Sequence, residues 1–113
     1  MEQEKILKSY LPMSEASFLL LNCLQSENHG YGIMQKVTAV TSGRVNLGAG
    51  TVYTILYKME NDGLILAMGE FDRRKVYKIT ELGRIVLNAE ANRILQLADL
   101  ARETVMGKPG VLV

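Results

Sequence analysis

Gly48-Ala49-Gly50-Thr51-Val52-Tyr53-Thr54-Ile55-Leu56-Tyr57-Lys58-Met59-Glu60-Asn61 is the stretch whose reading decides the fold. Val52, Ile55, Leu56 and Met59 recur at i, i+3, i+4 and i+7, the period of an amphipathic helix with one face in a core. Asn61-Asp62-Gly63 closes it, Gly63 being able to take the left-handed conformation that ends a helix. At about 100° per residue, Thr54 and Tyr57 point away from the apolar stripe, flanked by Thr51, Tyr53 and Lys58. This outer face carries hydroxyls and one cation, and the carboxylates Glu60 and Asp62 come only at its far end. Hydroxyls and amines donate to phosphate oxygens and touch base edges, so the pattern suits a phosphate-lined groove. Gly48, Ala49 and Gly50 are small, which lets backbone N–H groups at the helix start come close to a phosphate.

Upstream, a helix over about residues 31–39 turns Ile33, Met34 and Val37 inward. It starts after His29-Gly30-Tyr31-Gly32 and breaks at Thr41-Ser42-Gly43. Val45-Asn46-Leu47 suits a short strand or a turn. Further back, Phe18-Leu19-Leu20-Leu21 with Cys23-Leu24 is apolar on most sides and predicts a central core helix capped by Ser14. Ile6, Leu7, Tyr10 and Leu11 share one stripe of an N-terminal helix that Pro12 ends. Downstream, residues 65–70 and 75–79 read as two strands, with Lys75, Tyr77 and Ile79 alternating against Val76 and Lys78. Phe71-Asp72-Arg73-Arg74 is short enough to join them as a hairpin. Thr80 then caps a long helix over residues 81–105.

The expected fold class is mainly α with a small β-hairpin: a winged helix-turn-helix with an N-terminal helix and a long C-terminal dimerisation helix. Residues 1–80 form the winged-helix DNA-binding unit, 81–106 the dimerisation helix, and 107–113, with Gly107, Pro109 and Gly110, a flexible tail. In such a layout one helix lies in the major groove while the hairpin reaches the neighbouring backbone.

The chain has 113 residues, 48% of them hydrophobic, enough for one domain with a modest core that a partner subunit would supplement. The longest charge-free apolar run, near residues 16–24, is too short to span a bilayer. The opening MEQEKILK lacks the basic-then-apolar layout of a signal peptide. A single cysteine excludes an internal disulfide framework and suits a reducing cytosol. A cytosolic, nucleoid-associated protein with no membrane partner is expected.

The net charge is only +1, but it is unevenly placed. Residues 1–28 hold two lysines against four glutamates, residues 29–79 hold seven cations against four carboxylates, and the remainder balances. Arg73, Arg74 and Lys75 are the densest basic cluster, at the hairpin tip where a wing meets phosphates or the minor groove. Tyr31 and Lys36, on the helix before, join Gly50, Thr51, Tyr53, Thr54, Tyr57 and Lys58 as candidate contacts to double-stranded DNA. The sequence holds no metal-ligand spacing, phosphate loop or nucleophile motif, so neither an enzyme nor a metal or other cofactor is expected. His29 orders a turn, and Cys23 belongs to the core.

Leu87, Ala91, Ile94, Ala98, Ala101 and Val105 follow spacings of 4, 3, 4, 3, 4, the heptad pattern of a helix seam, which Leu97 and Leu100 widen. A two-fold homodimer buries such a seam, with Ile6 and Tyr10 of the N-terminal helix covering the partner's long helix. Two reading helices about 34–36 Å apart then address successive major grooves and call for an inverted repeat.

Taken together, these segments resemble the PadR family (phenolic-acid-repressor-like) of bacterial regulators, in its short form with one C-terminal helix. The resemblance is carried by His29-Gly30-Tyr31-Gly32-Ile33, Gly50-Thr51-Val52-Tyr53-Thr54-Ile55-Leu56 and Met59-Glu60-Asn61-Asp62-Gly63-Leu64-Ile65. Arg73-Arg74-Lys75-Val76-Tyr77-Lys78-Ile79-Thr80-Glu81-Leu82-Gly83 completes it. It covers about residues 19–87. It implies a homodimeric winged helix that usually represses transcription and is often released by a small ligand, with Tyr53 at the DNA face. Two features depart from the family pattern: the wing is short and there is no tryptophan. A pocket for a small aromatic or apolar effector therefore falls to Tyr10, Met13, Phe18 and Met34, or to the seam. Two other readings stay open: a winged-helix module for protein contact, and a ligand-sensing dimer with weak DNA affinity.

Overall fold

The computed structural model describes residues 2–107, so the expected tail lies, apart from Gly107, outside the described residues. Five helices and three strands follow one another: α1 (Glu2–Tyr10), α2 (Glu15–Cys23), β1 (Asn28–His29), α3 (Gly30–Val40), α4 (Ala49–Asn61), β2 (Ile65–Phe71), β3 (Arg74–Ile79) and α5 (Glu81–Val105). The strands form an antiparallel sheet in the order β1-β3-β2. This is the expected mainly helical winged layout, with one addition. The hairpin gains a third strand, β1, whose two residues pair with Tyr77 and Val76. Val45-Asn46-Leu47, expected as a short strand or turn, lies outside any helix or strand.

The helix starts follow from local chemistry. Each helix leaves its first N–H groups without intrahelical partners, and a side-chain acceptor at the N-cap satisfies one of them. Ser14 Oγ accepts from Ser17 N at 3.1 Å, His29 Nδ1 from Gly32 N at 3.0 Å and Thr80 Oγ1 from Gly83 N at 3.1 Å. After α4 the chain turns at Gly63, whose φ of +81° is open to glycine at little cost. Thr80 locks that turn by donating its hydroxyl to Gly63 O at 2.6 Å and its N–H to Leu64 O at 3.0 Å. The end of α4 and the start of α5 are thereby tied together.

The core draws on every helix. Leu20, Leu21 and Leu24 meet Ile33 and Val37 of α3 and Val52, Leu56 and Met59 of α4, closed by Ile65, Tyr77, Ile79, Val86 and Leu87. Only the first half of α5 joins it; from Leu95 onward the helix runs out from the domain with its large apolar side chains exposed. Glu90 is the exception inside. It is fully buried, accepts from Met13 N at 3.2 Å and takes both Nε and Nη2 of Arg93 at 2.8 and 2.6 Å. Arg93 first, and then the Met13 amide, hold this carboxyl below the ordinary range against the opposing effect of burial.

Candidate nucleic-acid interface

Helix α4 buries Val52, Leu56 and Met59 and half-buries Ile55, as its period requires. Gly50, Thr51, Tyr53, Thr54, Tyr57 and Lys58 are all exposed, Tyr57 to 71%. Its N-cap is Gly48, which offers no side-chain acceptor, so the N–H groups of the first turn lack a capping side chain. Gly50 has nothing within 4 Å of where a Cβ would stand, so the backbone here is open to close approach.

Three elements converge beside this helix. His29, Gly30 and Tyr31 from the start of α3, Tyr53 from α4, and Arg73, Arg74 and Lys75 from the β2–β3 hairpin line one cleft of about 270 Å³. The Arg74 guanidinium lies 5.6 Å from the centroid of the Tyr31 ring, within cation–π range, and its Nη1 is 3.5 Å from His29 Nε2. Tyr53 reaches the cleft because Gly30 has no side chain. A Cβ on Gly30 would stand 2.6 Å from the Tyr53 hydroxyl oxygen and under 3 Å from two ring carbons. Lys75 is partly committed, with Nζ 3.4 Å from Glu60 Oε1 and 5.5 Å from the Tyr77 ring centroid. Tyr77 first, and then Glu60, keep its ammonium protonated above its ordinary range. Arg73 sits at the hairpin tip, exposed, with φ of +65° next to Asp72 at +56°.

Two expected contacts lie elsewhere. Lys36 is five positions beyond Tyr31, about 140° round the helix, and so away from the cleft. Lys58 sits on the flank of α4 opposite Tyr53, where its Nζ is 2.9 Å from Asp62 Oδ2 and 4.9 Å from the ring centroid of Tyr10. Of the residues expected at a dimer seam, Leu87 is buried in the protomer's own core. Tyr10 is also buried there and donates its hydroxyl to Asp62 Oδ2 at 2.7 Å. Ile6, Ala91, Ile94 and Ala98 are half-buried, while Ala101 and Val105 are exposed. Ala98, Ala101, Arg102, Val105 and Met106 form an apolar trough of about 340 Å³. Tyr10 and Met13, expected at an effector pocket, share a small cavity of about 130 Å³ with Ser14, Ile55 and Lys58. Phe18 and Met34 pack against the core away from it.

Gly30, Glu60 and Asp62 were legible in the sequence only as turn and helix-end residues, not as parts of the site. Asp62 stands at i+4 from Lys58, and Glu60 at i+7 from Tyr53, spacings that put each pair on one flank of a helix. Among the described residues no group of three or more His, Cys, Asp or Glu side chains is placed to hold a metal, and no helix is long and apolar enough to cross a membrane.

Residues 20–89 match the family described as the PadR-like family of transcriptional regulators. The chain belongs to the PadR-like family of transcriptional regulators. The matched span holds α3, α4, the hairpin and the start of α5, so it contains the whole cleft. Solved transcriptional regulators share the architecture. A transcriptional regulator from Clostridium thermocellum superposes with a TM-score of 0.70 at 20% identity, over 88% of this chain and 93% of its own. A PadR-like regulator from Bacillus cereus gives 0.70 at 21% identity, over 92% and 99%. PadR of Bacillus subtilis, solved in complex with operator DNA, gives 0.56 at 22% identity, over 65% of this chain and 44% of that one.

Proposed function

We propose that this PadR-like chain is a homodimeric transcriptional repressor of the bacterial cytosol that binds double-stranded DNA at an inverted-repeat operator. Helix α4 enters the major groove with Gly50, Thr51, Tyr53, Thr54 and Tyr57 at its surface. The β2–β3 wing lays Arg73, Arg74 and Lys75 on the flanking backbone, and Tyr31 supports Arg74 from α3. The single observation that carries this reading is the cleft in which Tyr31 and Tyr53 face the basic wing. Aromatic hydroxyls beside guanidinium and ammonium groups are the donors that a phosphate backbone accepts from. The operator complex of the Bacillus subtilis relative supports the same reading by likeness of fold.

Selection of bound duplexes from a random pool tests it. The expected outcome is a two-fold symmetric site with half-sites about one helical turn apart or a multiple of that. Retention of no duplex at low salt, or a single unpaired half-site at every protein concentration, overturns it.

A further inference from the structure

Lys58 is the one cation of the reading helix, yet it faces away from the wing. Its ammonium meets Asp62 Oδ2 at 2.9 Å and lies 4.9 Å from the Tyr10 ring centroid, and Asp62 Oδ2 also accepts from the Tyr10 hydroxyl at 2.7 Å. The helix alone does not account for this cluster. Asp62 is the C-cap of α4, the end at which the helix dipole disfavours a carboxylate, and a lysine four residues before an aspartate is the weaker order for a helical ion pair. What holds Asp62 there is Tyr10, 52 positions away on α1. Lys58 first, and then Tyr10, keep the Asp62 carboxyl below its ordinary range, while burial first, and then Asp62, push the Tyr10 phenol upward.

We propose that Asp62 is an affinity-setting residue: with Tyr10 fixing it in place, it holds the Lys58 ammonium on the α1 flank of α4 and withholds it from the DNA backbone. This rests on the reading that α4 lies in a DNA groove. The Lys58 side chain is 63% exposed and has a long flexible stem, so its amine stays within a side-chain swing of a phosphate on that flank. Exposed ion pairs are weak, so the contact is a reversible competitor rather than a lock. Because Tyr10 belongs to α1, which packs against α5, the restraint also depends on α1 keeping that position.

The test is a salt series of binding to a random-sequence duplex of about 30 base pairs, since phosphate contacts do not depend on sequence. Asp62→Asn keeps an acceptor for the Tyr10 hydroxyl but removes the charge that draws Lys58. It is expected to tighten binding about three- to tenfold at low salt and to steepen the log–log salt slope by about 0.9, one added phosphate contact. Adding Lys58→Ala to Asp62→Asn is expected to take that gain away. Asp62→Ser serves as a second charge-free variant, with thermal unfolding of each checked first. Wild-type protein that binds no duplex sinks the DNA reading itself. Wild-type binding with a slope indifferent to both Asp62 variants overturns this inference alone. So does a gain that survives Lys58→Ala, because it then comes from the lost negative charge in general.

Discussion

Gly30 shows how one missing side chain can set a site. Its Cα faces the hydroxyl end of the Tyr53 ring so closely that any Cβ must push the ring out of the cleft. Because Tyr53 is 53% exposed and its ring end can swing aside, Gly30→Ala is expected to change stability by less than about 1 kcal/mol while weakening DNA binding. Thermal unfolding and a binding titration on the same preparation check this; a variant that binds as wild type shows that Tyr53 can leave without consequence. Gly30 was legible as punctuation, but its partner 23 positions later was not, because packing of a ring on a backbone leaves no period in a sequence. Glu90 was hidden for a related reason. It stands at i+4 from Val86 and i+3 from Leu87, on the face that faces the core, but charged residues are seldom buried and its partner Met13 N is a backbone group. Folding lowers the Glu90 pKa, so the carboxylate favours the folded state at neutral pH. That contribution is full above the ordinary carboxylate range and is lost as pH falls through the lowered value. Glu90→Gln is expected to cost about 2 kcal/mol at pH 7, the scale of a charge-assisted hydrogen bond. The gap to wild type narrows as pH is lowered, which denaturant titrations at pH 7 and pH 4 detect; a gap that stays constant removes the charged role.

At the scale of elements, α4 was legible almost to the residue because its ends are chemically marked. Gly48 opens it, Gly63 at positive φ ends the turn after it, and four apolar residues keep one period between them. Thr80 marked the start of α5 in the same way. Strand β1 was not legible, since two residues carry no alternation and its pairing with Tyr77 and Val76 is set by the fold. The wing turn was legible as a short link but not as a strained one. Asp72 and Arg73 both sit at positive φ, as a two-residue hairpin turn that follows the strand twist requires, and a non-glycine residue there costs about 1 kcal/mol. An arginine at such a position is a cost to the fold, so a contact outside the chain would offset it. Arg73→Gly is thus expected to raise stability by about 0.5–1 kcal/mol while weakening binding to all duplexes alike and flattening the salt slope by up to about 0.9. Thermal shift and salt-dependent binding measured together check this, and a variant both less stable and fully competent in binding contradicts it.

At the scale of the whole molecule, the question is what covers α5. Its 25 residues reach about 37 Å, and only the first half has the protomer's own core beneath it. Beyond that, Leu95, Leu97, Leu100, Val105 and Met106 are all exposed, Val105 to 86%, and Val105 and Met106 line the trough with Ala98 and Ala101. That much apolar surface does not stay in water on an isolated domain without cost. The sequence pattern placed the seam from Leu87 to Val105, and the fold divides that row. Leu87 closes the domain, whereas Ala101 and Val105 are left exposed. Ala101→Glu is the discriminating substitution, because Ala101 is exposed and touches none of the buried core. A second copy of α5 laid across the trough would have to bury that carboxylate, at a cost large enough to separate the protomers. The expected outcome is a folded monomer by light scattering, with helical content retained by circular dichroism. Its affinity for a symmetric duplex is expected to fall towards that for a single half-site, since two reading helices no longer act at fixed spacing. A variant that remains a dimer at micromolar concentration places the interface on another face, and the exposed end of α5 then needs a different occupant.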